Sequence, residues 1–345
     1  MTRTDGKREN QHYVPQMLLR NFATRESIVR GREQVQVLDK WTSRVFTANI
    51  RNVASAHEFY EVETETRAIS AEHLLSELED RARPVLQKLI ANRSVPATGT
   101  GEREWLSVFC AVQFMRTQTV RGRFSEINAE IEAHIRNMGY DPSNVEGYRK
   151  LMDADVKAST IRMLTVAMTD YSAVLLAKHW FLLETDPSDP FYVGDHPVTL
   201  HNNRSMGAYG NLGLAVPGIE IYMPVSPTLS LALWCPSIVR EVEQNWREPR
   251  EQLAKLKQVN LDAATLAKIA EVEAGMALSD RIVAAATTGG CVESNADNTT
   301  LLNSLQVRFA SRFVMSNLPN FALAERMFSD DEGYRTRSKE GIKVG

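Results

Sequence analysis

Trp180-Phe-Leu-Leu-Glu184 marks the point at which the pattern of this chain changes. Beyond it, Phe191-Tyr-Val193, Val198-Thr-Leu200, Glu220-Ile-Tyr-Met223 and Leu229-Ser-Leu-Ala-Leu-Trp234 are short apolar runs separated by Pro, Asp, Asn and Gly. Runs of this length, rich in β-branched and aromatic residues and bounded by turn formers, read as strands. They predict a mostly antiparallel sheet built from neighbouring segments.

Before Trp180 the period is helical. Leu74, Leu75, Leu78, Ala82, Val85, Leu86, Leu89 and Ile90 recur at the spacing of one helix face over 69–92, with Pro84 expected to kink or break it. A second helix is expected over 102–123, with Trp105, Phe109, Val112 and Val120 inward, and a third over 125–137. Asp141-Pro-Ser-Asn144 supplies a cap for a long helix over 145–177, with Tyr148, Met152, Val156, Met163 and Ala167 on one stripe. These form a central helical layer.

Further toward the N-terminus, a charged start (2–10) is expected to be loose, and Tyr13, Met17, Leu18 and Phe22 suggest a short buried helix with Pro15 in its first turn. Val35-Gln-Val-Leu-Asp39 and Arg44-Val-Phe-Thr-Ala-Asn-Ile50 flank Lys40-Trp-Thr-Ser43 as a hairpin, and Phe59-Tyr-Glu-Val62 is a candidate third strand. After the sheet, helices are expected over 249–256, 261–277 and 298–315, and 316–345 reads as a weakly ordered charged tail. The reading is α+β: a small N-terminal β-hairpin element, a central helical layer, and a C-terminal mostly antiparallel sheet closed by a helix. It implies one large domain with subregions 11–178 and 179–315.

With 345 residues, of which 43% are hydrophobic and 24% charged, the chain is long enough for a sizeable core and ordinary for a globular protein. A net charge of -3 gives no global attraction to nucleic acid or an anionic membrane. Cys110, Cys235 and Cys291 lack the spacing of a zinc site or a disulfide framework, and Cys110 falls in a helical apolar pattern. With no apolar leader and no run long enough to span a bilayer, a reducing cytoplasm and no membrane partner are the expectation.

Taken in order, Gln11-His-Tyr-Val-Pro15, Leu19-Arg-Asn-Phe22, the Glu79 helix, Gln113-Phe-Met-Arg-Thr117, the strand from Trp180, Gly194-Asp-His-Pro197, the Pro224 strand and Asn303-Ser-Leu-Gln306 resemble the family called domain of unknown function 4238. The resemblance spans nearly the whole chain. At the turn the family reads closer to Ser-Asp-Asn-Pro, so Gly194 and His196 are departures. The resemblance implies no particular activity.

The candidate site is built from the polar members of these segments. His12 can act as acid, base or metal ligand, or can bond a buried carbonyl. Glu79 borders the apolar stripe of its helix, and Gln113 and Arg116, three residues apart, share a face with Phe109. Arg116 is therefore a natural mate for Glu79 or for an anionic ligand. Asp195, at a strand exit, is either a ligand beside His12 and Glu79 or the acceptor of an Asx-type turn.

As a metal set, His12, Glu79 and Asp195 offer the mixed nitrogen and oxygen donors suited to magnesium, manganese or zinc. One functional expectation is thus a metal-assisted hydrolase of phosphodiesters or nucleic acid, with Gln113 and Arg116 orienting and neutralising an anion. The other is a non-enzymatic binding or regulatory protein, with a protein or nucleic-acid partner, in which the same residues form a buried structural network.

Several other patterns carry less. Arg51-Asn-Val-Ala-Ser-Ala-His57 imitates a helical ribonuclease spacing but follows a strand, and Gly210-Asn-Leu-Gly213 and Thr288-Gly-Gly290 lack a phosphate-loop context, so no nucleotide cofactor is expected. No nucleophile elbow is present. Arg116, Arg121 and Arg123 form a basic helix end that reads as a solvated charge cluster or a phosphate contact.

Overall fold

The computed structural model describes residues 10–63, 68–148, 150, 152–205, 210–256 and 262–336. Of the charged start expected over 2–10, residues 2–9 lie outside them and Asn10 opens a strand, and the end of the tail, 337–345, lies outside as well.

The chain begins with strand β1 (Asn10–His12), the short helix α1 (Gln16–Leu19) and helix α2 (Arg25–Val29). Pro15 sits just before α1, its fixed φ of -59° feeding the first turn. The hairpin forms as expected, β2 (Gln34–Asp39) against β3 (Arg44–Asn49). Strand β4 (Ser55–His57) returns to pair with β1, setting His12 opposite Ser55. The third strand expected at 59–62 is instead β5 (Glu61–Glu63), paired with β6 (Ala68–Ser70) in a ribbon of its own.

The helical layer follows. Helix α3 (Glu72–Asn92) buries Leu75, Leu78, Ala82, Val85, Leu86 and Leu89, and runs through Pro84 without a break. Each such leucine contributes about 1.5–3 kcal/mol on full burial, which outweighs the cost of one missing backbone bond. Helix α4 (Gly101–Met115) packs against α3, and α5 (Gln118–Asn137) starts only two residues later. The break therefore falls at Arg116 and Thr117, earlier than the one expected near 124. The long helix expected over 145–177 is shorter: α6 (Asp153–Val166), one π turn (Ala167–Tyr171), then α7 (Ser172–Leu176). Asp141 caps a 3-10 turn at Pro142–Asn144, and Met152, expected inward, is 64% exposed.

Strands β7 (His179–Glu184), β8 (Val193–Gly194), β9 (Thr199–His201), β10 (Glu220–Ser226) and β11 (Leu229–Trp234) follow the change of pattern at Trp180. Helices α8 (Pro236–Asn245), α9 (Arg247–Leu256) and α10 (Ala263–Thr288) come next, then β12 (Cys291–Glu293). The principal sheet has the order β12-β7-β11-β10-β9 and is antiparallel except for β12 against β7.

Helix α11 (Ala296–Phe309) ends earlier than expected, because Phe313–Ser316 is not its last turn but strand β13. This strand sits between β2 and β8 in the order β3-β2-β13-β8. The N-terminal hairpin is thus no separate element; it shares a sheet with the C-terminal part of the chain. Nor is 316–335 a loose tail: α12 (Ala322–Asp330) buries Phe321, Ala324 and Phe328 against Leu38, Tyr192, Val307 and Val314. One larger apolar cluster joins Tyr13 and Phe22, Leu78 and Phe109, Trp180 and Leu231, and Met315.

Candidate functional site

Arg116 stands at the end of α4, 2% exposed, where the helix gives way to Thr117. Its three nitrogens are all engaged. Nη1 donates to Glu79 Oε1 at 2.8 Å, Nη2 to the His12 carbonyl at 2.7 Å, and Nε to the Tyr60 hydroxyl at 3.1 Å. The Tyr60 hydroxyl in turn donates to the Arg116 carbonyl at 3.0 Å, satisfying a backbone acceptor that the end of α4 leaves open. One guanidinium so ties α3, the loop before β5 and the N-terminal segment to α4. Burial opposes its charge, but Tyr60 and Glu79 hold its pKa above the ordinary arginine range.

His12 donates from Nε2 to the Ile50 carbonyl at 3.1 Å. Burial lowers its pKa; the Ile50 carbonyl and Glu79 push the other way and do not reverse the direction. Gln113 donates from Nε2 to the Tyr13 carbonyl at 3.0 Å, and its Oε1, fully buried, has no hydrogen-bond partner among the described residues. Gln11, not singled out from the sequence, accepts the Tyr60 amide at 2.6 Å and donates to Glu61 at 3.1 Å. The segment from Gln11 to Tyr13 is thereby held by its side chains and carbonyls alike.

Asp195 belongs to another place. Its carboxylate accepts three successive backbone amides, from Ser311 (2.6 Å), Arg312 (2.9 Å) and Phe313 (3.0 Å), and so closes the turn between α11 and β13. Burial raises its pKa, opposed by those amides and by Lys40. Lys40 itself is fully buried and donates to the Val307 and Ala310 carbonyls, at 2.7 and 2.6 Å, at the C-terminal end of α11. The next residue, His196, is also fully buried, with Nδ1 2.6 Å from the Thr117 hydroxyl and its ring stacked on Phe309.

The structure therefore joins Glu79, Arg116 and the His12 backbone, seats Gln113 on the adjoining Tyr13 carbonyl, and directs Asp195 elsewhere. Among the described residues no three His, Cys, Asp or Glu side chains are grouped to hold a metal ion. The set of His12, Glu79 and Asp195 does not fit magnesium, manganese or zinc, since Asp195 has both oxygens on backbone amides and Glu79 is turned to Arg116. The basic helix end is divided: Arg121 turns inward and donates to the Phe59 carbonyl, whereas Arg123 pairs along the helix surface with Glu126 and Glu130.

The other segments that carried the family resemblance do the same kind of work. Asn21 donates to the Val225 carbonyl at 2.9 Å. Asn303 accepts the Tyr192 amide at 2.7 Å and donates to the Pro190 carbonyl at 3.1 Å. Gln306 accepts the Gly194 amide at 2.8 Å and donates to the Pro197 carbonyl at 3.0 Å. Gly194 permits that approach, since a Cβ there would stand 2.9 Å from the Gln306 carbonyl oxygen. Each amide serves backbone at a strand end, a bulge or the loops flanking β8, where the ladder leaves a group open.

Fold and site together define an α+β protein whose recurrent polar residues are tie points between distant segments. The family described as Protein of unknown function (DUF4238) matches residues 10–319, and the chain belongs to it. No curated protein and no solved structure matches it. Among the described residues no helix is long and apolar enough to cross a membrane.

Proposed function

We propose that the chain acts as a non-enzymatic binding or regulatory protein whose partner is another protein, with His12, Glu79, Gln113, Arg116 and Asp195 serving to fix the fold. The observation that carries this reading is the direction of their hydrogen bonds: Arg116 uses all three guanidinium nitrogens, and Asp195 both oxygens, on groups within the protein. A substrate could reach either group only after buried, charge-assisted bonds broke, each contributing roughly 1.5–3 kcal/mol. Catalysis asks for the opposite arrangement, groups poised toward the reacting atoms.

The preference for a protein partner over a polyanion rests on charge and surface. The net charge is -3, and Arg121 and Arg123 are committed to Phe59, Glu126 and Glu130. Large apolar side chains stand in solvent near the end of α5, with Ile131, Met138 and Tyr140 being 47%, 54% and 63% exposed.

A metal-assisted phosphodiesterase is the rival reading, and Glu79→Gln and Asp195→Asn separate the two. Melting temperature is measured alongside manganese-dependent hydrolysis of bis(p-nitrophenyl) phosphate. Both substitutions are expected to lower the melting temperature, with no metal-dependent turnover in the parent protein for them to remove. A manganese-dependent activity lost in Glu79→Gln at an unchanged melting temperature overturns the proposal.

A further inference from the structure

Strand β3 is the long open edge of this fold. Among the described residues the two larger sheets end on β3 and β8 and on β12 and β9. Strand β8 has two residues and β9 and β12 three each, too short to template another strand, whereas β3 has six. It contains no proline, and its register with β2 runs unbroken from Arg44 to Asn49. Shortness, proline and bulges, by which edge strands refuse a neighbour, are therefore not used here.

The bonds of β2 fix which backbone groups of β3 are open. The Gln34 carbonyl accepts the Thr24 amide and the Lys40 amide donates to the Arg312 carbonyl, whereas the Glu33 carbonyl accepts the Ile50 amide. Antiparallel ladders alternate, so Val35, Val37 and Asp39 bond Ala48, Phe46 and Arg44. Val45, Thr47 and Asn49 then turn their N–H and C=O groups away from β2. Val45 and Phe46, on opposite faces, are 41% and 39% exposed, so an added strand meets an apolar neighbour on each face.

Charge narrows what the edge accepts. Residues 20–51 carry seven basic and three acidic side chains in a chain of net charge -3. Arg44 opens β3, and beside its last residue lies a pocket lined by Gly31, Arg32, Glu33, Asn49 and Arg51. Glu33, the one acid of that pocket, is held by Arg20 at 3.1 Å. Among the described residues Arg32, Arg44 and Arg51 are exposed and have no carboxylate partner. A second copy does not suit this edge, since two β3 strands running antiparallel would bring basic end against basic end.

We propose that the β3 edge is a docking site for an extended acidic segment of another protein, which joins the sheet beside β3 with carboxylates toward Arg44 at one end and toward Arg32 and Arg51 at the other. Main-chain bonds to Val45, Thr47 and Asn49 hold the segment, and the arginines set its register and select acidic over basic sequences. The inference deepens the reading of the chain as a protein-binding protein and rests on it.

The test uses the full chain and a short fluorescein-labelled peptide of alternating valine and threonine with glutamates at both ends. Anisotropy measures binding at low salt, against the same peptide with lysines at its ends. Amide hydrogen exchange locates it. The glutamate peptide is expected to bind more tightly and to slow exchange at Val45, Thr47 and Asn49, with Phe46 and Ala48 already protected by β2. Thr47→Pro, which removes an outward donor and spares the β2 ladder, is expected to abolish binding. Arg32→Glu combined with Arg51→Glu should weaken it about tenfold and decides the matter if Thr47→Pro fails to fold. No preference for the glutamate peptide, or binding that leaves exchange at Val45 and Thr47 unchanged, overturns the proposal. So does a single-stranded oligonucleotide that displaces the peptide and still binds Thr47→Pro, or dimerisation of the parent chain that Thr47→Pro abolishes. Manganese-dependent turnover would instead overturn the reading of the chain as a non-enzymatic binding protein, so the two failures are distinct.

Discussion

Replacing Lys40 by Met removes two buried bonds and a buried charge at once, and pH separates the two effects. Lys40 is 0% exposed, and its ammonium donates to the Val307 and Ala310 carbonyls, acceptors that the end of α11 cannot satisfy within the helix. Losing both bonds and leaving the acceptors buried is expected to cost about 3–5 kcal/mol. Burial, only partly offset by Asp195, also lowers the Lys40 pKa from 10.5 to about 8. Between those values the unfolded chain binds more protons than the folded one, so this residue's contribution to stability rises with pH across the window. At about 1.4 kcal/mol per pH unit the full rise is about 3 kcal/mol. Tyr192 and Cys110, both raised to about 12 by burial, act in the opposite sense above pH 9, which makes the difference between the two proteins the useful quantity. Urea unfolding followed by circular dichroism at pH 7.5 to 10.5 should show Lys40→Met less stable throughout, with the gap widening toward high pH. A gap that stays flat refutes the buried-ammonium argument, and a variant as stable as the parent refutes the helix-end role as well.

Arg116→Met is expected to cost about 3–5 kcal/mol, because it strands Glu79 and the His12 carbonyl, and Arg116→Lys should recover little, since one ammonium cannot reach three acceptors held by a fork; chemical denaturation measures both. Gly194→Ala forces a Cβ against the Gln306 carbonyl oxygen and should destabilise by about 1–3 kcal/mol, read as a fall in melting temperature. His12, with its pKa lowered by burial, should make the protein less stable as pH falls below 6.5, where the unfolded chain takes up the proton first. His12→Gln should flatten that slope in melting curves between pH 5 and 7, and an unchanged slope would assign it to another group.

The placement of Glu79 beside an apolar stripe, and of Arg116 one turn after Gln113, pointed to a pair between two helices, and that pair is present at 2.8 Å. What spacing along the helices did not give is the bend that makes the pair useful. Gln113-Phe-Met-Arg-Thr117 reads as uninterrupted helix, yet α4 stops at Met115, where the Tyr60 hydroxyl donates to the Arg116 carbonyl and the Arg116 side chain turns to the His12 carbonyl. Asp195 was legible as a turn acceptor or a ligand, and the amides that decide between these lie more than a hundred residues away, at 311–313.

Local chemistry therefore determined most elements of this protein: the helical period of 72–92, the β2 and β3 hairpin, and the strands that begin at Trp180. Those patterns act within a few residues, through side-chain spacing and turn formers, and can be read one segment at a time. Only the tertiary structure decided that Phe313–Ser316 is a strand, since its apolar run continues the preceding helix and becomes a strand by pairing with β2, far away in the chain. The same holds for the segment Gln11 to Tyr13 and the residues around it. Their polarity was visible in sequence, whereas their partners are carbonyls and amides left open by distant irregular backbone, and long-range packing alone brings the two together.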